Sequence, residues 1–161
     1  MGVTVQGLIG AEDMLLMLDT TVKRRVVRKL IEKGKELKNL AIRMAPVDDA
    51  NLEKAIKMRP EGIDGGRERD ETGRFIRTEI EIYVDMDMPV PGRPGKTVGD
   101  YAYEIHEHLS PMGGLNLGDK SNMKQMSSPD VLVGGGFMTR AAEQIETGLD
   151  AAFQQALNQT I

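Results

Sequence analysis

The sequence predicts an α+β fold: two long amphipathic helices packed on a small, mostly antiparallel sheet, with long loops between them. Three observations carry this prediction. Val22, Val26, Leu30, Gly34, Leu37, Ala41 and Met44 recur at spacings of 4, 4, 4, 3, 4 and 3, which puts one apolar stripe on a helix whose other face is charged. Phe137, Ala141, Ile145, Leu149, Phe153 and Leu157 recur at spacings of 4 and mark a second such helix. Between them, Ile76, Thr78, Ile80, Ile82 and Val84 alternate with Arg77, Glu79, Glu81 and Tyr83, so Phe75–Met86 reads as a half-buried strand.

The remaining segments follow in order. Val3–Gln6 alternates as a short strand ended by Gly7, and Ala11–Leu18 reads as a short helix. Asp19, Thr20 and Thr21 are candidate caps for the long helix, and Pro46 stops it by pushing the preceding residue out of the helical region. Asp48 or Asp49 can cap a brief helical turn through Leu52 and Ile56. Arg59–Gly73 reads as a polar loop, Met88–Gly99 as a Pro/Gly-rich arm or loop, and Tyr101–His108 as a shorter element of strand type. Leu109–Gly136 reads as a long irregular loop, of the kind that orders against neighbours on assembly. All of it is expected in one domain, 1–161, with loops at about 59–73, 88–99 and 109–136.

Composition narrows the function. With no cysteine there is no disulfide framework, no thiol chemistry and no Cys-based zinc site. The longest unbroken apolar run, Met14–Leu18, is too short for a bilayer, and Met1–Gly10 lacks a basic segment followed by an apolar one, so a soluble chain without a leader is expected. Net charge is −4, a poor balance for a general nucleic-acid binder, but its distribution is uneven. The segment Lys23–Arg43 is strongly basic, opposed only by Glu32 and Glu36, whereas acids dominate from Glu79 onward. Such asymmetry suggests surfaces that meet oppositely charged partners. Lys23, Arg24, Arg28, Lys35 and Lys38 are the candidate basic patch, and Glu79, Glu81, Asp85 and Asp87 the candidate acidic patch, of a protein interface. Eleven methionines and no tryptophan suit adaptable contacts better than a rigid pocket.

Candidate chemistry is thin. Glu104, His106 and His108 would share one face of a strand, and a metal-dependent hydrolase built on His106 and His108 is one reading from another class. An edge strand with two histidines is the plainer reading, because no fourth ligand can be placed. Gly134–Gly136 precedes a helix, yet no Lys-Ser/Thr follows, so an entry turn is favoured over a phosphate loop. A DNA-binding regulator using the basic helix is a third reading. It lacks interleaved aromatic residues and a helix-turn-helix pattern, and a protein interface is favoured. Neither a metal nor a cofactor nor a catalytic residue is expected.

Three segments in fixed order carry a resemblance. Ala45-Pro46-Val47-Asp48 with Leu52 and Ile56 is similar to A-P-V-D-T-G-x-L-x-x-S-I. Tyr101-Ala102-Tyr103-Glu104-Ile105-His106-Glu107 is similar to Y-A-x-x-V-[EH]-[FE]-G, and Phe137-Met138-Thr139-Arg140-Ala141 to F-L-x-x-A. Together with Val5-Gln6-Gly7-Leu8 at the start, they resemble the tail-completion and head–tail joining (neck) proteins of long-tailed bacteriophages, the family of minor tail protein Z of lambda-like phages. Asp49 and Ala50 stand where that family has Thr and Gly, so the turn after Pro46 need not take a glycine-type conformation; His108-Leu109 replaces Gly-Thr. The resemblance implies a structural virion protein without catalytic residues, assembled in the host cytoplasm into a hexameric ring of its own copies at the head–tail junction. Its implied partners are head-side connector proteins and tail terminator or tube proteins, with packaged DNA in passing contact and no membrane. A tail terminator of the same neck region is the nearest alternative.

Overall fold

The basic amphipathic segment folds as α1 (Thr20–Met44), and its apolar stripe lies on a three-stranded antiparallel sheet. The computed structural model describes residues 2–5, 20–47, 50–59, 67–69, 75–78, 80–108 and 117–158. The sheet consists of β1 (Gly2–Val5), β2 (Ile56–Arg59) and β5 (Ile80–Val84), with β5 in the centre in the order β1-β5-β2. Ile56 and Met58 of β2 and Ile80, Ile82 and Val84 of β5 are buried on one face, as period-two alternation requires. The helix contacts that face at Gly34, where a Cβ would stand 2.8 Å from Ile80 Cγ2 and 3.3 Å from Met58 Sδ. Glycine there costs helix propensity and allows the close approach. Val22, Leu30, Leu37, Ala41 and Met44 are buried as the stripe predicts, and Val26 is half-buried.

The second long helix, α5 (Phe137–Asn158), packs along α1. Phe137, Met138 and Ala141 are fully buried at its start. Farther along, Ile145, Leu149, Phe153 and Leu157 are only half-buried, and Ala156 takes the buried position. A strict spacing of four drifts roughly 40° per step around a helix, so this stripe winds away from the core. The fold is α+β, with α1 on one face of the main sheet.

Several segments differ from expectation. Phe75–Met86 is two strands: β4 (Phe75–Thr78) pairs with β3 (Arg67–Arg69) in a separate two-stranded sheet, and β5 joins the main one. β2 pairs with β5 from Ile56↔Val84 to Arg59↔Glu81, and β3 with β4 from Arg67↔Thr78 to Arg69↔Phe75. Ile56 therefore begins a strand and does not continue the helical turn; the turn, α2 (Asn51–Ala55), ends where the Asp85 N–H donates to the Ala55 carbonyl at 2.7 Å. The expected Arg59–Gly73 loop thus begins on β2 and contains β3. The expected helix Ala11–Leu18, the candidate caps Asp48 and Asp49, and Glu79 lie outside the described residues.

Met88–Gly99 is a closed turn. Val90 N–H donates to Lys96 O and Val98 N–H to Met88 O, both at 2.9 Å, and Val90 and Val98 are buried anchors. Tyr101–His108 is not a strand but the helix α3 (Gly99–His108). At its start the Asp100 carboxylate accepts the Thr97 N–H at 2.7 Å, and the apolar positions Val98, Ala102 and Ile105 have helical spacing. The expected irregular loop 109–136 contains α4 (Asp119–Ser127), whose inward residues bond to neighbouring backbone.

The turn after Pro46 does take the glycine-type conformation. Ala50, at the N-cap of α2, has φ 58° and ψ 15°. A left-handed L-residue costs about 1–2 kcal/mol. Ala50→Gly is expected to stabilise the protein by roughly 0.5–1 kcal/mol, once the extra chain entropy of glycine is subtracted. Urea unfolding checks this, and a destabilised variant would show that Ala50 is not strained.

Candidate functional site

Burial sorts the basic residues of α1 into a defined face. Arg24, Arg28 and Lys35 are exposed and fall within one narrow stripe, since their spacings of 4 and 7 return to nearly the same angle on a helix. Lys38 is half-buried, and the Lys23 side chain is outside the described residues. The two acids within this face are paired locally, Glu32 with Lys29 at 2.7 Å and Glu36 with Lys33. The hydrogen bond from Lys29 holds the Glu32 carboxyl below the usual carboxylate range. None of the ion pairs among the described residues includes Arg24, Arg28 or Lys35. Arg43 leaves the stripe; its guanidinium donates to both carboxylate oxygens of Asp130 at 2.6 Å and lowers that carboxyl's pKa.

The expected acidic patch is mixed in sign. Glu81 is half-buried and stands opposite Arg59 in the β2–β5 register, and Lys57 stands opposite Tyr83. Arg59 donates from Nε to the Tyr83 hydroxyl at 2.9 Å, and its guanidinium carbon lies 4.4 Å from the ring centroid. Asp85 is half-buried and Asp87 exposed. Glu81 and Tyr83 face away from α1, because their neighbours Ile80, Ile82 and Val84 face it. The basic stripe and this strand face therefore look out from opposite layers. A more uniformly acidic row lies on α3, where Asp100, Tyr103, Glu104 and Glu107 are all exposed.

The histidine set is rearranged by the helix. Residues two apart on a helix point roughly 200° from each other, so His106 cannot share a face with Glu104, and the His108 side chain lies outside the described residues. His106 is buried, edge-on to Phe137 at 5.2 Å, with Nδ1 3.0 Å from a Glu107 oxygen and Nε2 without a hydrogen-bond partner. It is a packing residue and not the surface residue that an edge strand implied. No group of three His, Cys, Asp or Glu among the described residues is placed to hold a metal ion. The three glycines before α5 are a tight entry turn: Gly134 N–H donates to Met44 O at 2.9 Å and Gly136 N–H to His106 O at 2.8 Å. Arg140 ties the same turn by donating to the carbonyls of Leu132, Gly134 and Gly135, and burial lowers its pKa. No helix among the described residues is long and apolar enough to cross a membrane.

Comparison with protein-family models, curated proteins and solved structures finds no match to this chain.

The sequence segments Ala45–Ile56, Tyr101–Glu107 and Phe137–Ala141 contribute to one core, which includes Ala45, Leu52, Ile56, Ala102, Phe137 and Ala141. Met44, beside Ala45, receives the Gly134 N–H; His106 receives the Gly136 N–H and packs on Phe137. A feature the sequence did not disclose completes this junction. Lys124 of α4 donates to Ile42 O at 2.6 Å and Ala45 O at 2.8 Å and pairs with Glu53. Ser121 both accepts the Val47 N–H and donates to the Val47 carbonyl. Gln125 holds Val131 O and Val133 N. Ser121, Lys124 and Gln125 share the inner face of α4, at helical spacing.

Proposed function

We propose that the chain is a structural, non-enzymatic virion protein, a ring-forming subunit of the head–tail junction of a long-tailed bacteriophage, acting in tail completion and head–tail joining. The observation that carries this reading is the convergence of its three motif-bearing segments. Separated by up to about ninety residues in the chain, they contribute to one buried core around the end of α1, the end of α3 and the start of α5. The same subunit carries outward surfaces of different charge on different elements, which suits head-to-tail contacts that close a ring. Head-side connector proteins and tail terminator or tube proteins are then its neighbours above and below.

Reversing Arg24, Arg28 and Lys35 to Glu tests the reading. The three are exposed, so the fold should persist by circular dichroism. At up to about 1 kcal/mol per lost pair, each subunit contact weakens by up to roughly a hundredfold. Joining of heads to tails in a complementation assay should fail, and full joining by the reversed protein would remove the basic face from the mechanism. No joining by the wild-type chain in lysates lacking this gene product would remove the proposal itself.

A further inference from the structure

We infer that the exposed row of α3 is the surface that receives the basic stripe of α1 from a second copy of this chain, an inference that rests on the ring reading above. Asp100, Tyr103, Glu104 and Glu107 have the spacing i, i+3, i+4, i+7 and are all exposed, while Ala102 and His106 on the other side are buried. This is one helical face, about 10 Å long between Asp100 and Glu107 at 1.5 Å per residue. On α1, Arg28 and Lys35 are also seven residues apart, exposed and on one stripe, so their charges repeat at the same interval of about 10 Å. Two such helices laid side by side bring both pairs of opposite charge together at once. Tyr103, 56 % exposed, sits between the acids. An aromatic ring flanked by acids is suited to receive an arginine, both as apolar cover and as a cation–π face.

The expected partner on β5 fits less well. There Arg59 stands opposite Glu81 in the register and covers Tyr83, so an incoming basic helix would meet like charge. On α3 the exposed charges from Asp100 to Glu107 are all acidic. A basic donor helix and an acidic acceptor helix on each subunit make a heterologous contact, the type that continues from copy to copy until a ring closes. Charge complementarity of this kind sets partner choice and register.

The test uses the purified full chain and sedimentation velocity at low salt. Arg28→Glu with Lys35→Glu should weaken self-association by roughly tenfold or more, as should Asp100→Lys with Glu107→Lys. The four substitutions combined should recover most of it. Asp87→Lys, on the other acidic segment, should leave it unchanged. Raising salt to 1 M should weaken the wild-type assembly, since screening then acts within about 3 Å. The chain has no cysteine, so a Lys35→Cys, Glu107→Cys variant should form disulfide-linked multimers through that pair alone. Rings of wild-type size from both double reversals would overturn the pairing and leave the ring reading standing. A combined variant no better than either half would also overturn it. A wild-type chain monomeric at every concentration at low salt overturns the pairing as well, and head–tail joining by that chain then decides the ring reading separately.

Discussion

Leu37→Ala is expected to cost about 3–5 kcal/mol of stability, near the upper end for truncation of a buried leucine. Leu37 is 1 % exposed and belongs to the core shared by α1, β2 and β5. Its surroundings cannot easily collapse into the space it leaves. Ile56, Ile80 and Ile82 in that core are β-branched and stiff at χ1, and the helix is already held close to the sheet at Gly34. Leu30→Ala, at 7 % exposure, should cost about 2–3 kcal/mol. Asn39→Ala, on the exposed side of the same helix, should stay within about 0.5 kcal/mol of wild type. Urea unfolding of the three variants reads the face directly. A Leu37→Ala loss no larger than that of Asn39→Ala would mean that the stripe does not face the sheet.

The contrast among these positions shows which parts of the fold the sequence made legible. The stripe of α1 and the alternation of Ile80, Ile82 and Val84 were readable because each element buries one face of its own regular period. Strand β2 was not. Its four residues become a strand through pairing with β5, twenty-odd residues away, which no local pattern encodes. For the same reason the acidic patch on β5 looked purer than it is, since Arg59 and Lys57 reach it only through register. Helix α3 was misread because Glu104, His106 and His108 imitate alternation. The competing signals lie in Val98, Ala102 and Ile105, and in Asp100, placed to accept the Thr97 N–H. Helix α4 has no apolar face to reveal it. Its inner face is Ser121, Lys124 and Gln125, and polar residues of this kind mark a loop until their backbone partners are known. Ala50 was the reverse case: the residue type argued against the left-handed conformation that the fold imposes on it.

Lys124→Met should loosen the junction at the end of α1, at a cost of about 2–4 kcal/mol. The ammonium has three donors and meets three acceptors: the carbonyls of Ile42 and Ala45 at the end of α1, and the Glu53 carboxylate. Carbonyls at a helix end lack partners within the helix and carry its negative dipole end, so a cation there is favourable twice over. The side chains of Lys124 and Glu53 are 16 % and 21 % exposed. Removing the lysine strands a largely desolvated carboxylate beside two unpartnered carbonyls. The remaining solvent access keeps the cost below that of breaking a fully buried pair, about 3–5 kcal/mol. The effect should be local before it is global. Ser121 to Val47 and Asp130 to Arg43 also hold this segment to the end of α1, and Gln125 to Val131 and Val133 holds the segment to itself. Amide exchange should therefore speed most in α4 and residues 128–133, with the centre of α1 still protected. Adding Glu53→Gln to Lys124→Met should restore part of the loss, because the uncompensated charge is then gone, and a double-mutant cycle should return a coupling of about 1–3 kcal/mol. Zero coupling, or unchanged exchange in α4, would show that the lysine does not tie this helix to α1.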